Sequence, residues 1–287
     1  MSYIAEFKNV SFTYNKGVSY ETKAIDGVSV GIERCCTTGI IGATGSGKST
    51  LIQMLNGLIK PEAGSVIVDG VDIWDKKVKM REIRFKVGLV MQYPEYQLFD
   101  ETVASDIAFG PKNMGITGDA LNERVAEAAR FAGLDPSLLS KSPFDLSGGQ
   151  KRRAALAGVM AMKPDILVLD EPAAGLDPVG RREILGKIKS YQKERETSVV
   201  IVSHSMEDIA KYCDRLIVMS HGRAVANDTT ENVFRRHEEL AKEGLDVPEI
   251  TKAASEMRKL GVDIGEDVYT VKYAAEALIG KYSIGKK

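Results

Sequence analysis

The strongest constraint on this fold is the run Gly42-Ala43-Thr44-Gly45-Ser46-Gly47-Lys48-Ser49. It fits the pattern G-x-x-x-x-G-K-[ST], which works only between a strand and a helix. Residues 36 to 41 read as that strand. Lys48 to about Leu58 read as the helix. Glycines let backbone wrap closely around phosphate oxygens, and the N–H groups of the loop and helix N-terminus point at negative charge. Lys48 would reach the β- and γ-phosphates, and the Ser49 hydroxyl would ligate Mg²⁺. The expected nucleotide contacts are therefore Gly42, Ala43, Thr44, Gly45, Ser46, Gly47, Lys48, Ser49 and Thr50.

A second acidic element belongs with this loop. Ile166-Leu167-Val168-Leu169 is an apolar run ending in Asp170 and Glu171. Two carboxylates at the end of a buried strand are costly unless cations or partners meet them. That end of a parallel sheet is where ligands bind. Asp170 would hold Mg²⁺, directly or through water, and Glu171 would deprotonate an attacking water. Gln92 follows the apolar run Val87 to Met91 and can offer its carbonyl oxygen to Mg²⁺ or to the water. His204 follows Val199 to Ser203 and can sense a γ-phosphate. A lone Gln or His is ordinarily structural, and these two gain meaning only beside the other motifs. Tyr14 can stack on adenine, although tyrosines near strand ends usually pack.

The fifth motif, Leu146-Ser147-Gly148-Gly149-Gln150, opens a helix over about residues 150 to 162. A serine and two glycines at a helix N-terminus make a second anion site. One nucleotide has a single γ-phosphate, already held by the first loop. A head-to-tail pair, each chain closing Ser147 to Gln150 over the other's nucleotide, resolves the surplus.

The rest of the chain supplies a frame. Residues 3 to 12 and 24 to 32 alternate as half-buried strands do, with a loop from Tyr14 to Thr22. Val66, Val68, Val71 and Ile73 flank Asp69-Gly70 as a hairpin. Helical patterns cover Thr102 to Phe109 and Asp119 to Ala132, punctuated by Pro111, Gly115, Gly118, Gly133 and Pro136. They predict a helical subdomain inserted at about residues 94 to 162. Strands return at 166 to 169, 199 to 202 and 215 to 219. Alternating strands and helices imply a largely parallel sheet covered on both faces. The last stretch, about 240 to 287, reads as helical and charged.

Composition narrows the setting. The 287 residues allow one large domain or two modest ones. The net charge of −1 argues against nucleic acid as a bulk partner. No apolar run approaches the about 20 residues of a membrane helix. The N-terminal MSYIAEFKNV lacks the basic and apolar regions of a leader. The expectation is a cytosolic chain unless a partner holds it at a membrane. Cys35, Cys36 and Cys213 read as buried thiols in a reducing compartment.

Together these motifs resemble the nucleotide-binding subunit of ATP-binding cassette (ABC) transporters over about residues 3 to 235. The resemblance implies an α/β P-loop NTPase (RecA-like) core with an antiparallel β subdomain and an inserted helical subdomain. It makes Gly42 to Ser49 the Walker A loop, Ile166 to Glu171 the Walker B strand and Ala174 to Asp177 the D-loop. Gln92 would head the Q-loop, His204 the H-loop, and Tyr14 would be the adenine-stacking aromatic. Gln92 to Phe99 (QYPEYQLF) and Ala108 to Gly115 (AFGPKNMG) resemble more closely the energy-coupling factor (ECF) ATPases of prokaryotic micronutrient uptake, in particular the second of their two paired ATPases. Leu245 to Gly261 resembles their C-terminal dimerisation extension. The implied division is an ATPase domain over 1–240 and a helical extension over 241–287.

The implied function is ATP hydrolysis, with Mg²⁺, by a peripheral subunit on the cytoplasmic face of the cell membrane. Its implied partners are a sister ABC ATPase, a transmembrane scaffold and a membrane substrate-binding subunit. The resemblance favours a heterodimer over a homodimer. Ala173 and Ala43 depart from the residues usual in that group, but neither position has an assigned catalytic role. Rival readings are a conventional ABC importer subunit, a soluble ABC protein acting on DNA or ribosomes, and a regulator without turnover. The chain lacks the coiled-coil insertion or tandem cassette usual in the soluble class. Its intact Glu171 argues against the regulator.

Overall fold

The computed structural model describes residues 2–265 and 268–281. Two long strands come first, β1 (Tyr3–Tyr14) and β2 (Thr22–Glu33), paired antiparallel. The strand expected to end at residue 12 runs to Tyr14, because Thr13 and Tyr14 still find partners in Lys23 and Thr22. Only residues 15 to 21 form the loop. Then follow β3 (Thr37–Gly42), α1 (Lys48–Leu55) and the hairpin β4 (Ala63–Val68) and β5 (Val71–Asp72). Helix α1 ends three residues earlier than its apolar pattern predicts. Asn56 caps it, and Gly57 takes the left-handed conformation (φ +69°) that terminates many helices.

Helix α2 (Met80–Lys86) leads into β6 (Val87–Val90). A 3-10 turn (Pro94–Gln97) and three helices follow: α3 (Val103–Asn113), α4 (Gly118–Ala132) and α5 (Gly148–Met160). The sequence pattern predicts a helix only to Phe109, yet α3 runs to Asn113 with Pro111 inside it. In the last turn its missing N–H removes one bond, too little to break a helix whose inner face is already packed. The expected start of α5 at residue 150 moves to Gly148, because Ser147 and Gln150 form a reciprocal capping box.

The remainder alternates: β7 (Ile166–Asp170), α6 (Pro178–Arg195), β8 (Ser198–Val202), α7 (Met206–Tyr212), β9 (Arg215–Ser220) and β10 (Arg223–Thr229). The chain continues through α8 (Thr230–Arg235), α9 (His237–Lys242), α10 (Glu249–Lys259) and α11 (Val271–Lys281). The predicted helical character of 240 to 287 holds for these elements; 266–267 and 282–287 lie outside the described residues.

Two sheets result. One is antiparallel, in the order β2-β1-β4-β5; the other has six strands, in the order β10-β9-β3-β8-β7-β6. In the six-stranded sheet only β10 runs antiparallel to its neighbour. Its central strands are buried from end to end, which is why they read as continuous apolar runs rather than alternating ones. Successive side chains nevertheless point to opposite faces. Ile166 and Val168 join the core beneath the antiparallel sheet and α1, with Phe7, Ile32 and Leu51. Leu167 and Leu169 join the core shared with α3 to α6, with Ile107, Ala157 and Ile188.

The cysteines depart from expectation. Cys213 is buried, but Cys35 is exposed and Cys36 partly exposed. They form the turn between β2 and β3, where Cys35 takes a left-handed conformation (φ +53°) that turns it outward. Burial pushes the Cys36 thiol up to about 11. Among the described residues no group of three or more His, Cys, Asp or Glu is arranged to hold a metal.

Phe131 on α4 meets Tyr191 on α6 edge-to-face, with ring centroids 5.0 Å apart, and both are fully buried. Phe131→Ala is expected to cost about 3–5 kcal/mol. Urea denaturation would show it as a lower midpoint; an unchanged midpoint would mean that the helical layer does not depend on this contact.

Candidate functional site

The site is built where parallel strands end together. Ile40 on β3 is level with Val202 on β8; Val202 is level with Asp170 on β7; Leu169 is level with Val90 on β6. The segments that leave this edge carry Gly42 to Ser49, Gln92, Asp170 with Glu171, and His204. Four of the five motifs thus converge because the register aligns their strands.

Two glycines of the loop are demanded by packing. A Cβ on Gly42 would stand 2.3 Å from the Met219 carbonyl oxygen, and one on Gly47 (φ +102°) would stand 2.4 Å from that of Ala24. Gly45 differs: it has φ +80° and open space around it, so the loop's outer side is free. Ala43, Thr44 and Gly45 are exposed, whereas Ser46, Lys48 and Thr50 are buried. The Ser46 Oγ is buried without a hydrogen-bond partner. Lys48 folds back and donates to the carbonyls of Gly42 (2.7 Å) and Ala43 (2.9 Å). Burial holds the Lys48 ammonium below the ordinary lysine range, against the opposing pull of Glu171 and Asp170. A buried cation whose partners include neutral carbonyls is well placed to exchange them for phosphate oxygens.

The Ser49 hydroxyl donates to Asp170 Oδ2 at 3.1 Å, although 121 positions separate the two residues. Burial raises the Asp170 carboxyl, while the Ser49 bond and the charge of Lys48 lower it. Glu171 sits at φ +51°, its N–H donating to the Val202 carbonyl (3.0 Å). Burial, and then the neighbouring Asp170, raise its carboxyl. Its Oε1 is buried with no hydrogen-bond partner. His204 Nε2 lies 3.6 Å away, beyond hydrogen-bond reach. Burial holds the His204 imidazole below its ordinary value, so the contact is not an ion pair at neutral pH. An unpartnered carboxylate oxygen there can accept a hydrogen bond from a water.

Tyr14 lies above the start of α1. Its hydroxyl is 3.3 Å from Thr50 Oγ1, and Phe12 meets its ring edge-on. Tyr14 is 37 % exposed. Gln92 is exposed just past β6. Ser147 and Gly148 are exposed, and Cβ atoms on Gly148 and Gly149 would touch nothing. Among the described residues no hydrogen bond joins Ser147 to Gln150 with residues 42 to 50.

Sequence reasoning missed two supports. Gly222, in the β9–β10 turn, donates to the Ser46 carbonyl (3.1 Å) and so fastens the loop from below. Arg181 on α6 reaches Asp208 Oδ2 and Ser205 Oγ, both at 3.5 Å, behind His204. Neither carries a local signal, because each partner lies far away along the chain or on another element.

The structure thus brings together a glycine-rich loop with a buried lysine, a serine–aspartate pair beyond it and a glutamate with one unpartnered oxygen. The ABC transporter family profile matches residues 25–174. The energy-coupling factor transporter ATP-binding protein EcfA2 of Caldanaerobacter subterraneus subsp. tengcongensis is 53 % identical over 280 residues, 98 % of each chain. The EcfA2 of Clostridium acetobutylicum is 50 % identical over 275 residues, 96 % of each chain. Among solved structures, cbiO1 from Clostridium perfringens, part of the ABC transporter complex cbiONQ, matches with TM-score 0.76 and 34 % identity over 91 % of this chain and 98 % of that one. A dimeric cassette in a post-hydrolysis state, bound to ADP and Pi, matches with TM-score 0.70 and 26 % identity over 79 % of this chain and 98 % of that one. This chain belongs to the ABC transporter family and, within it, to the energy-coupling factor transporter ATP-binding proteins. It is an ATPase subunit.

Lys48→Ala should abolish tight ATP binding, measured by titration calorimetry; unchanged affinity would remove the phosphate-loop assignment.

Proposed function

We propose that this subunit binds peripherally to the cytoplasmic face of the cell membrane and drives uptake of a micronutrient, a vitamin or a metal ion. Its partners are a sister ABC ATPase in a heterodimer, a transmembrane scaffold, and a separate membrane protein that binds the substrate. The observation that carries this reading is the pairing of the residue 42–50 loop and acidic strand end with an LSGGQ helix start that, among the described residues, makes no hydrogen bond to that loop. Gly148 and Gly149 have no packing reason to be glycine here, so room is kept for a second molecule.

In the closed pair, Ser147, Gly148, Gly149 and Gln150 of one chain would meet the γ-phosphate held by residues Gly42 to Thr50 of the other. Ser49 and Asp170 fit Mg²⁺, being two oxygen ligands already side by side, with the Gln92 carbonyl oxygen as a third. When bound, the ion would supply positive charge against the phosphates. The Glu171 carboxylate would take the proton of the attacking water, its burial raising its basicity toward that task. His204 would contact the γ-phosphate and Gln92 would orient the water. Tyr14 would stack on adenine.

A groove of about 620 Å³ lies between α2, α3 and α5. Leu58, Phe99 and Phe109 line it and stay exposed, beside Arg81 and Arg84. It borders the Gln92 segment, and we assign it to the membrane scaffold. Among the described residues no helix is long and apolar enough to cross a membrane, so attachment would depend on such a partner. We divide the chain into an ATPase domain over 1–240, its helical subdomain at about 94–162, and a helical extension over 241–287. A small separate core of Ala254, Ile264, Val268 and Ala274 supports the division, while Leu245 and Val247 pack back onto the main core.

Glu171→Gln should slow ATP hydrolysis by about 10²–10⁴-fold and let ATP-bound dimers accumulate on gel filtration. Normal turnover would rule out the base role. Tagging the chain in its own cell and solubilising membranes gently tests the assembly. A sister ATPase, a multi-span scaffold and small membrane proteins should co-purify. Recovery with ribosomes, DNA or nothing would overturn the transporter reading.

A further inference from the structure

Arg152 stands out in the first turns of α5. Its neighbours Lys151 and Arg153 keep partial exposure, but its side chain is only 8 % exposed. A buried guanidinium must have partners, and it finds them in two segments remote from its own helix. Nε donates to Glu95 Oε2 at 3.3 Å and Nη2 to Glu95 Oε1 at 3.1 Å, a two-pronged pairing with a carboxylate that is itself largely buried. Nη1 donates to the Ala174 carbonyl. Glu95 lies in the 3-10 turn three residues beyond Gln92. The Ala174 N–H in turn donates to the Glu171 carbonyl at 3.1 Å, closing the turn that follows the acidic strand end.

We propose that Arg152 is a positioning residue that joins three segments of the ATPase into one unit: the LSGGQ helix start, the segment after Gln92 and the Glu171–Ala174 turn. The planar fork suits this task. It reaches a carboxylate with two parallel N–H groups and still has a third direction for a carbonyl, which an ammonium on a flexible stem does not reproduce. Stability alone does not call for the pair, since apolar residues of similar volume fill such a place equally well. What the ion pair adds is a fixed relation between segments. A push on the groove at Gln92 to Phe99 would shift the LSGGQ helix start and the Glu171 turn together. This inference rests on the reading that the groove receives a membrane component and that two chains close over ATP.

The test uses the complete complex recovered with its membrane component, assayed for kcat and KM toward ATP. Arg152→Lys keeps a positive charge beside Glu95 but cannot hold all three acceptors. It should lower kcat by about tenfold and leave KM within about twofold, because the phosphate loop is untouched. The double variant Glu95→Gln with Arg152→Met removes both buried charges. It should lose about as much as Arg152→Lys alone, as residues acting as a unit do. If Arg152→Lys fails to fold, the double variant decides by the same two constants. Wild-type kcat in either variant overturns the proposal. So does a raised KM with unchanged kcat, which would put Arg152 in nucleotide binding, or a double variant that loses far more than Arg152→Lys. Failure of the underlying reading shows separately, in a wild-type chain that recovers no membrane component.

Discussion

The parallel register of β6, β7, β8 and β3 is the constraint on which the rest depends. Each strand is short and buried on both faces, so it cannot slip by one residue without exchanging its two apolar faces. That register brings Gly42, Asp170, Gln92 and His204 to one edge. The Ser49–Asp170 bond then forms across 121 positions without any loop having to reach for it. Anything that loosened the sheet would scatter the site before it affected any single side chain.

The electrostatics of the site follow from the same burial. Lys48 is held below its ordinary range, while Asp170 and Glu171 are held above theirs, and in each case burial is the largest cause. The protein therefore carries charges that are incompletely satisfied within one chain. Lys48 falls back on carbonyls, and one Glu171 oxygen has no partner. This is the electrostatic state expected of a site completed by a polyanion and closed by a second chain. The proposed complementary half is the capped helix start at Ser147 to Gln150, of which Ser147 and Gly148 are exposed.

Much of this was legible beforehand, and the reasons differ by element. The central strands were readable because burial on both faces writes continuous apolar runs. The phosphate loop was readable because only glycine tolerates the close approach of the Met219 and Ala24 carbonyls. Misreadings fell where tertiary pairing overrode local pattern. Tyr14 stayed in its strand because Thr22 pairs with it. Pro111 stayed in α3 because one lost bond near the helix end is affordable there. Cys35 and Cys36 read as buried thiols, yet Cys35 is exposed and Cys36 only partly buried, because they lie at the turn between β2 and β3.

By itself the sequence carried the motifs: a glycine-rich loop, an acidic strand end and a serine-capped, glycine-rich helix start, each made of residues adjacent in the chain. Their spacing is local, so their geometry is nearly set by φ, ψ and side-chain type. Only the tertiary structure decided which distant groups support them. The Gly222 brace under Ser46, the Arg181 contacts behind His204 and the Arg152 fork between Glu95 and Ala174 carry no local mark. Arginine and glycine occur widely for many reasons, and their roles appear only when packing removes water and leaves each donor the acceptors within its reach.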